Sequence, residues 1–134
     1  MTYVEFEQKF CKWAQDDGWW ALNIPRSRAG QQPFDVIAVK GACVLAVDCK
    51  VTGGKHLRFP LDRVEDNQWL AFSSIMSKSN NVLCGIAVWM NQYSQMFFIP
   101  YHELCIAKEH GKASIELGAN HRLERIDFLR GIHS

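Results

Sequence analysis

Residues 33–50 read PFDVIAVKGACVLAVDCK and contain two short apolar runs separated by Lys40-Gly41. Apolar runs of this length around a glycine-containing break predict a hairpin of two buried β-strands. With Lys40-Gly41 as a two-residue turn, Asp35 would face Ala46. Asp48 would then lie diagonally across from Asp35 on the same face, because side chains alternate along a strand.

The same alternation places Lys50 on the face of Asp48. Two carboxylates and an amine at one end of a hairpin predict a hard-metal site beside a group that moves protons or stabilises charge. The alternative is that Asp-x-Lys is an ordinary surface pair. Asp48 ends an apolar run, however, where a charge is out of place unless it is paired or bound to metal. One carboxylate holds Mg²⁺ poorly, so a third acid is expected.

A helix predicted over residues 2–17 supplies the third acid, and Gly18 follows it as a stop signal. Its apolar side chains recur at helical spacing on one stripe: Tyr3, Phe6, Phe10, Trp13 and Ala14. At about 100° per residue, Glu7 falls at the edge of this stripe and Glu5 falls outside it. We expect Glu7 to reach over the sheet edge toward the metal and Glu5 to be solvated. The alternative for Glu7 is a boundary residue that extends to water.

The order of these features resembles the PD-(D/E)XK nuclease superfamily, and within it the Holliday junction resolvases. Residues 7–27, from the helix glutamate through Gly18 to Pro25-Arg26-Ser27, resemble the opening of the archaeal type. Asp48-Cys49-Lys50, the segment 58–61 (RFPL) and Gln68 are similar to the RecU type. The likeness covers residues 3–72, which is over half the chain.

The resemblance implies a restriction-endonuclease-like α/β fold, a central mixed β-sheet flanked by α-helices, in one nuclease domain over residues 1–134. It implies Glu7, Asp35 and Asp48 as metal ligands and Lys50 as the catalytic lysine. The implied catalytic set is completed by Gln68, which would position the water or the scissile phosphate, and by Ser27. Asp48 stands where the family more often has Glu, which shortens the reach of this acid by one methylene.

The implied activity is Mg²⁺-dependent nicking of four-way (Holliday) junctions by phosphodiester hydrolysis, with Mn²⁺ as a substitute metal. Lys50 could accept a proton or stay charged and stabilise the transition state, and the sequence leaves both roles open. A homodimer is expected, because a junction presents two symmetry-related strands. Two alternatives stay open: a restriction or repair nuclease acting on duplex DNA, and an inactive DNA-binding protein on the same fold.

The net charge is only +1, but basic residues are concentrated between positions 26 and 63. Two loops, residues 26–32 and 51–56, are expected to flank the catalytic end of the hairpin. Contacts to DNA phosphates are expected from Arg26, Arg28, Lys55, His56 and Arg58. The alternative is a pair of solvated polar loops.

The remaining composition is that of an ordinary globular chain, with 134 residues and 48% hydrophobic content. Five dispersed cysteines predict buried free thiols in a reducing cytoplasm. No apolar run approaches 18 residues, so no membrane span is expected. Charged residues close to the N-terminus make this segment unlike a signal peptide.

Further elements complete the predicted sheet and its helices. A helix capped by Asp62, with Glu65 three residues on, would carry Gln68. Strands are predicted over 82–89, 95–99 and 115–117, a short helix or loop after Pro100, and a closing helix over 122–130.

Overall fold

The computed structural model describes residues 1–25 and 32–133. In chain order its elements are α1 (Tyr3–Asp16), β1 (Trp20–Asn23), β2 (Val36–Lys40), β3 (Cys43–Thr52), β4 (Arg58–Pro60), a 3-10 turn (Leu61–Arg63), α2 (Asp66–Lys78), β5 (Val82–Met90), β6 (Gln95–Pro100), α3 (Tyr101–Glu109), β7 (Ser114–Glu116) and a 3-10 segment (Ile126–His133).

A five-stranded mixed sheet forms the centre, in the order β1-β2-β3-β5-β6. β3 and β5 run parallel, joined by a crossover that contains α2, and the other neighbouring strands are antiparallel. β4 and β7 form a separate two-stranded sheet. The predicted mixed sheet flanked by helices is therefore present.

Side-chain alternation along β3 divides the core into two layers. Leu45 and Val47 pack on one face with Phe6 and Phe10 of α1. Ala46, between them, faces the opposite layer, which contains side chains of α2 and α3. The sheet is thus covered on both faces, and functional groups can meet water only at the strand ends and sheet edges.

Helix α1 has the boundaries that its sequence predicts. The Thr2 hydroxyl accepts a hydrogen bond from the backbone N–H of Glu5 (3.2 Å) and caps the first turn. Gly18 follows the helix with a φ of +91°, which glycine adopts without strain. Glu5 is exposed and Glu7 is buried, so the expected difference between these two acids is confirmed.

The register of the β2–β3 hairpin differs from the predicted one. Lys40 belongs to β2 and pairs with Cys43, so the turn is Gly41-Ala42, in which Gly41 has a φ of +60°. Ile37 faces Ala46, so the predicted facing of Asp35 with Ala46 is wrong.

Long-range contacts of Lys40 explain this shift of the hairpin register. Its Nζ donates to the backbone oxygen of Asp17 (2.5 Å) and to the carboxylate of Asp127 (2.8 Å). These contacts hold Lys40 in the strand, although its position beside glycine favours a turn.

Two predicted helix boundaries are also wrong. Leu61–Arg63 form a 3-10 turn, and α2 begins at Asp66 with Glu65, not Asp62, as its N-cap. Near the C-terminus, backbone hydrogen bonds join residues 121 and 123 to β6, so this segment covers the sheet edge and cannot be helical. A 3-10 helix follows only from Ile126.

Other predictions from sequence are confirmed. β5 and β6 lie where two strands are predicted, with a turn at residues 91–94 between them, and a helix follows Pro100. The five cysteines are free thiols; three are buried and two are half-buried. Within residues 1–25 and 32–133, no helix is long and apolar enough to cross a bilayer.

Candidate active site

A cavity of about 660 Å³ lies beside the end of the β2–β3 hairpin that is remote from its turn. It is lined by five residues that the sequence singled out, namely Glu7, Asp35, Asp48, Lys50 and Gln68. The three acids and the glutamine are each no more than 6% exposed. Buried charges require partners or a cation, so this cluster is the candidate active site.

Asp35 and Asp48 flank the last paired residues of the hairpin. Val36 pairs with Val47, and the backbone N–H of Asp35 donates to Val47 O (2.9 Å). The Asp35 carboxylate is held by the backbone N–H of Cys49 (2.7 Å) and by the side-chain amide of Gln32 (3.3 Å). The hairpin backbone therefore orients Asp35 toward the strand segment that carries Asp48.

Asp48 and Lys50 form an ion pair, with Nζ 3.2 Å from Oδ2. Oδ2 of Asp48 is buried, and the contact with Lys50 lacks the geometry of a directed hydrogen bond, so this oxygen has no hydrogen-bond partner among the described residues. The pKa of Asp48 is raised to about 8, first by burial and then by the charge of Asp35 and a hydrogen bond to it. The ion pair with Lys50 only partly opposes these effects.

A divalent cation fits the donor set at this end of the hairpin. The orphaned oxygen of Asp48 and the carboxylate of Asp35 are hard ligands. Mg²⁺ is commonly bound by one or two carboxylates, and water and substrate phosphate complete its coordination. Among residues 1–25 and 32–133, no three His, Cys, Asp or Glu side chains are grouped closely enough to hold a metal on their own. Metal binding by Glu7 as well stays a prediction.

Glu7 nevertheless lies in the electrostatic neighbourhood of the other two acids. The pKa of the buried Cys49 thiol is raised well above its usual value, first by burial and then by the charges of Asp35, Asp48 and Glu7. Three acidic side chains thus lie around one position of β3, and a bound cation would favour their ionised forms.

Gln68 has a structural role that its sequence position did not reveal. Its side-chain oxygen accepts a hydrogen bond from the backbone N–H of Glu65 (3.0 Å) at the N-terminus of α2. This bond fixes the side chain at the cavity wall and leaves the amide NH₂ as the group that can serve a ligand.

Arg63 is a residue of this cavity that sequence reasoning missed. It is half-buried, lines the cavity, and donates from Nη1 to the backbone oxygen of Val51 (2.9 Å). In the sequence it is one of several basic residues. Its position two residues before the N-cap of the helix that carries Gln68 was the available signal.

The predicted DNA-contacting residues lie beyond the end of β3. Lys55, His56 and Arg58 are exposed, and Arg58 donates to the Ser114 hydroxyl (3.1 Å). The Tyr93 hydroxyl donates to the backbone oxygen of Lys55 (2.5 Å) and ties this loop to the β5–β6 turn. Their contact with DNA stays a prediction. Arg26, Ser27 and Arg28 lie outside the described residues.

Another cavity, of about 460 Å³, is lined by Trp13, Trp89 and a mixed set of acids and arginines, Asp16, Asp17, Glu124, Arg122 and Arg125. It contains none of the predicted site residues and no lysine. Asp48, whose pKa is raised, lies together with Asp35 in the other cavity, so the site is placed there.

Comparison with known proteins agrees with the architecture. The model of the family described as archaeal Holliday junction resolvase (hjc) matches residues 4–131. The chain is similar to the solved structure of Hjc from Archaeoglobus fulgidus, a Holliday junction resolvase from an archaeal hyperthermophile. The TM-score is 0.62 at 19% identity, over 97% of this chain and 99% of that chain. A search of curated proteins finds no significant match. The structural likeness confirms the predicted α/β fold, and at this identity it shows the fold alone.

Proposed function

Because the chain belongs to the archaeal Holliday junction resolvase family, we propose that it nicks four-way DNA junctions by metal-dependent hydrolysis of phosphodiester bonds. The observation that carries the proposal is the buried pair Asp35 and Asp48 with Lys50 beside it. A protein that only bound DNA would gain nothing from acids facing phosphates, since like charges repel. The presence of all three groups in one cavity favours an enzyme.

The residues divide the work of hydrolysis by their positions. Asp35 and Asp48 would hold Mg²⁺ or Mn²⁺, with Glu7 near enough to add charge or bind a metal-bound water. The cation, when bound, would supply Lewis-acid stabilisation of the charge that develops on the phosphate oxygens. Gln68 lines the same cavity, and its amide NH₂ would orient a water or a phosphate oxygen.

Lys50 is the one ammonium that the cavity brings to the acid pair, within the described part of the chain. Its contact with Asp48 would be exchanged on substrate binding for a contact with the scissile phosphate. In that position a charged ammonium stabilises the transition state, and electrostatic stabilisation aimed at developing charge is usually the largest catalytic effect. We therefore assign Lys50 to charge stabilisation.

Junction cutting also requires two strands to be nicked at related positions, so we propose a homodimer with one cavity acting on each strand. Light scattering during size-exclusion chromatography would report a mass of twice 15.4 kDa for such a dimer. A monomer at assay concentration would remove this part of the proposal and leave the chemistry of the site untouched.

Cleavage assays with a labelled four-way junction and a linear duplex of the same arms test the activity. We expect paired nicks in the junction with Mg²⁺, none with EDTA, and a loss of at least about 100-fold in Asp48→Asn. Asp16→Asn is the matched control, because Asp16 is an exposed acid in a surface ion pair with Lys12 (3.6 Å).

The alternatives predict other results in the same assay. Equal cutting of junction and duplex would indicate a restriction or repair type of nuclease. Junction binding without cleavage under any divalent metal would indicate an inactive DNA-binding protein, and the resolvase proposal would be wrong.

A further inference from the structure

The structure assigns a role to Arg63, which is to bind the DNA phosphate next to the one that is cleaved. This inference rests on the proposed function, since it presumes a DNA strand in the cavity of Asp48. Arg63 would be a positioning residue, because its contact is with a phosphate that does not react.

The backbone around Arg63 is fixed by burial on both sides. Leu61 and Val64 are buried, the N–H of Leu61 donates to the oxygen of Ala113 (2.9 Å), and the N–H of Val64 donates to the oxygen of Leu61 (3.1 Å). The side chain therefore leaves a rigid 3-10 turn between β4 and α2. A group on a rigid element can position a ligand more closely than a group on a mobile loop.

The guanidinium is itself oriented by one hydrogen bond to the Val51 oxygen (2.9 Å). Arginine carries five N–H donors in a planar fork, so most of them stay available for another ligand. Val51 directly follows Lys50, which brings the fork to the wall of the cavity near the catalytic lysine.

Arg63 differs in its charge partners from Lys50, the other cationic side chain that lines the cavity. Lys50 is paired with Asp48, whereas Arg63 lies within 4.0 Å of no carboxylate in residues 1–25 and 32–133. A half-buried cation without an acid beside it keeps its charge available for a bound anion. A fixed guanidinium fork without a carboxylate partner fits phosphate, which it can bind in bidentate geometry.

Position along β3 decides which phosphate is contacted. At about 3.3 Å per residue, Val51 lies about 10 Å along the strand from Asp48. The guanidinium that bonds Val51 is therefore beyond the acid pair and not over it. When a phosphodiester is bound at Asp35 and Asp48, the neighbouring phosphate of the same DNA strand would contact Arg63.

The test uses three variants of the full chain: R63Q, R63K and the control R130Q. Arg130 is a half-exposed arginine near Gly41, at the opposite end of the hairpin from the acids. Binding of a labelled four-way junction is measured in EDTA over a series of salt concentrations, and single-turnover cleavage is measured with Mg²⁺. Thermal unfolding of each variant reports its folding.

Loss of one phosphate contact lowers the slope of log Kd against log salt concentration by about 1. We expect this change in R63Q and no change in R130Q. The single-turnover rate of R63Q should fall by up to about 100-fold, because a displaced strand misaligns the reacting phosphate. R63K should regain the slope but not the full rate, since an ammonium keeps the charge and lacks the fork.

A wild-type slope in folded R63Q would overturn the inference, and so would an equal loss of slope in R130Q. Should R63Q fail to fold, R63K decides: an unchanged slope with a slower rate supports the inference, and a wild-type rate overturns it. If the unchanged protein binds the junction but does not cut it, the proposed function fails, while the salt slopes measured in EDTA still decide the role of Arg63.

Discussion

Lys50 Nζ and Asp48 Oδ2 lie 3.2 Å apart on one strand, and yet the pKa of Asp48 is raised to about 8. An ion pair lowers the pKa of a carboxyl group, so burial and the nearby charge of Asp35 must outweigh the lysine here. Without a bound cation, the two buried carboxyl groups repel each other when both are ionised. A bound metal would relieve this repulsion, which would connect the electrostatics of the cavity to the proposed function.

The raised pKa predicts how the stability of the metal-free protein depends on pH. The unfolded Asp48 carboxyl loses its proton near 3.8, whereas the folded one keeps it to about 8. Between these values the folded state binds more protons, so the free energy of unfolding should fall as pH rises. The slope can reach about 1.4 kcal/mol per pH unit.

Urea unfolding in EDTA at several pH values within this window would measure that slope. Asp48→Asn should flatten it, because an amide does not titrate. Asp16→Asn removes an exposed acid elsewhere on the surface and should leave the slope as it is. An unchanged slope in Asp48→Asn would show that another group controls the effect.

Glu7 and Glu5 provide a matched pair on one helix. Glu7 is buried and lines the cavity, while Glu5 is exposed on the same helix and does not line it. Glu7→Gln should reduce junction cleavage by at least about 10-fold and raise the Mg²⁺ concentration needed for half-maximal rate. Glu5→Gln should leave both unchanged. Equal behaviour of the two variants would return Glu7 to a purely structural role.

Gln68 is expected to serve both the helix and the ligand. Gln68→Ala leaves the N–H of Glu65 without its acceptor, which should cost about 1 kcal/mol of unfolding free energy. It should also slow cleavage at saturating Mg²⁺. Chemical denaturation and single-turnover kinetics on one preparation separate the two effects. Lower stability at a wild-type rate would leave Gln68 as a helix cap alone.

Gly85 lies in β5 where the neighbouring strand leaves no room for a side chain. A Cβ added there would be 2.2 Å from the backbone oxygen of Ile99 and 2.8 Å from the Phe98 ring. Gly85→Ala should therefore destabilise the protein by about 3 kcal/mol. Gly53→Ala, whose Cβ would meet nothing within 4 Å, should change stability little. Thermal or urea unfolding compares the two, and a small effect at Gly85 would mean that β5 and β6 separate easily.

The sequence was sufficient to predict the hairpin beside which the acids lie, because short apolar runs around a glycine-containing break are a local property. It also placed Asp35 and Asp48 on one face, and that result survives the error in register. The turn moves by one residue, which shifts the pairing partner by two, from Asp35 to Ile37 opposite Ala46, and a two-residue shift preserves the face because side chains repeat every two residues. The order of acids, lysine and glutamine identified the family for the same reason, namely that it is encoded in short segments.

The failures came from contacts between distant segments. Lys40 stays in its strand through Asp17 and Asp127, which lie 23 and 87 residues away. Residues 121–123 are not helical because His121 and Leu123 form backbone hydrogen bonds with β6. Arg63 was overlooked because its one defining contact, with Val51, depends on how β4 and the following turn fold back over β3. Local patterns carry no trace of such pairings.

The cavity is also built from segments that are separated by different distances along the chain. Asp35 and Asp48 are joined by a hairpin of adjacent strands, whereas Arg63 and Gln68 are placed by the crossover between the parallel strands β3 and β5. Hairpins close quickly and parallel crossovers close late, because longer loops cost more entropy to form. We therefore expect Asp35 and Asp48 to come together first during folding, and Arg63 and Gln68 to reach the cavity afterwards. Pulse-labelled hydrogen exchange would then show protection in β2 and β3 before α2. The newly synthesised chain would bring its two proposed metal-binding acids together before it could bind DNA.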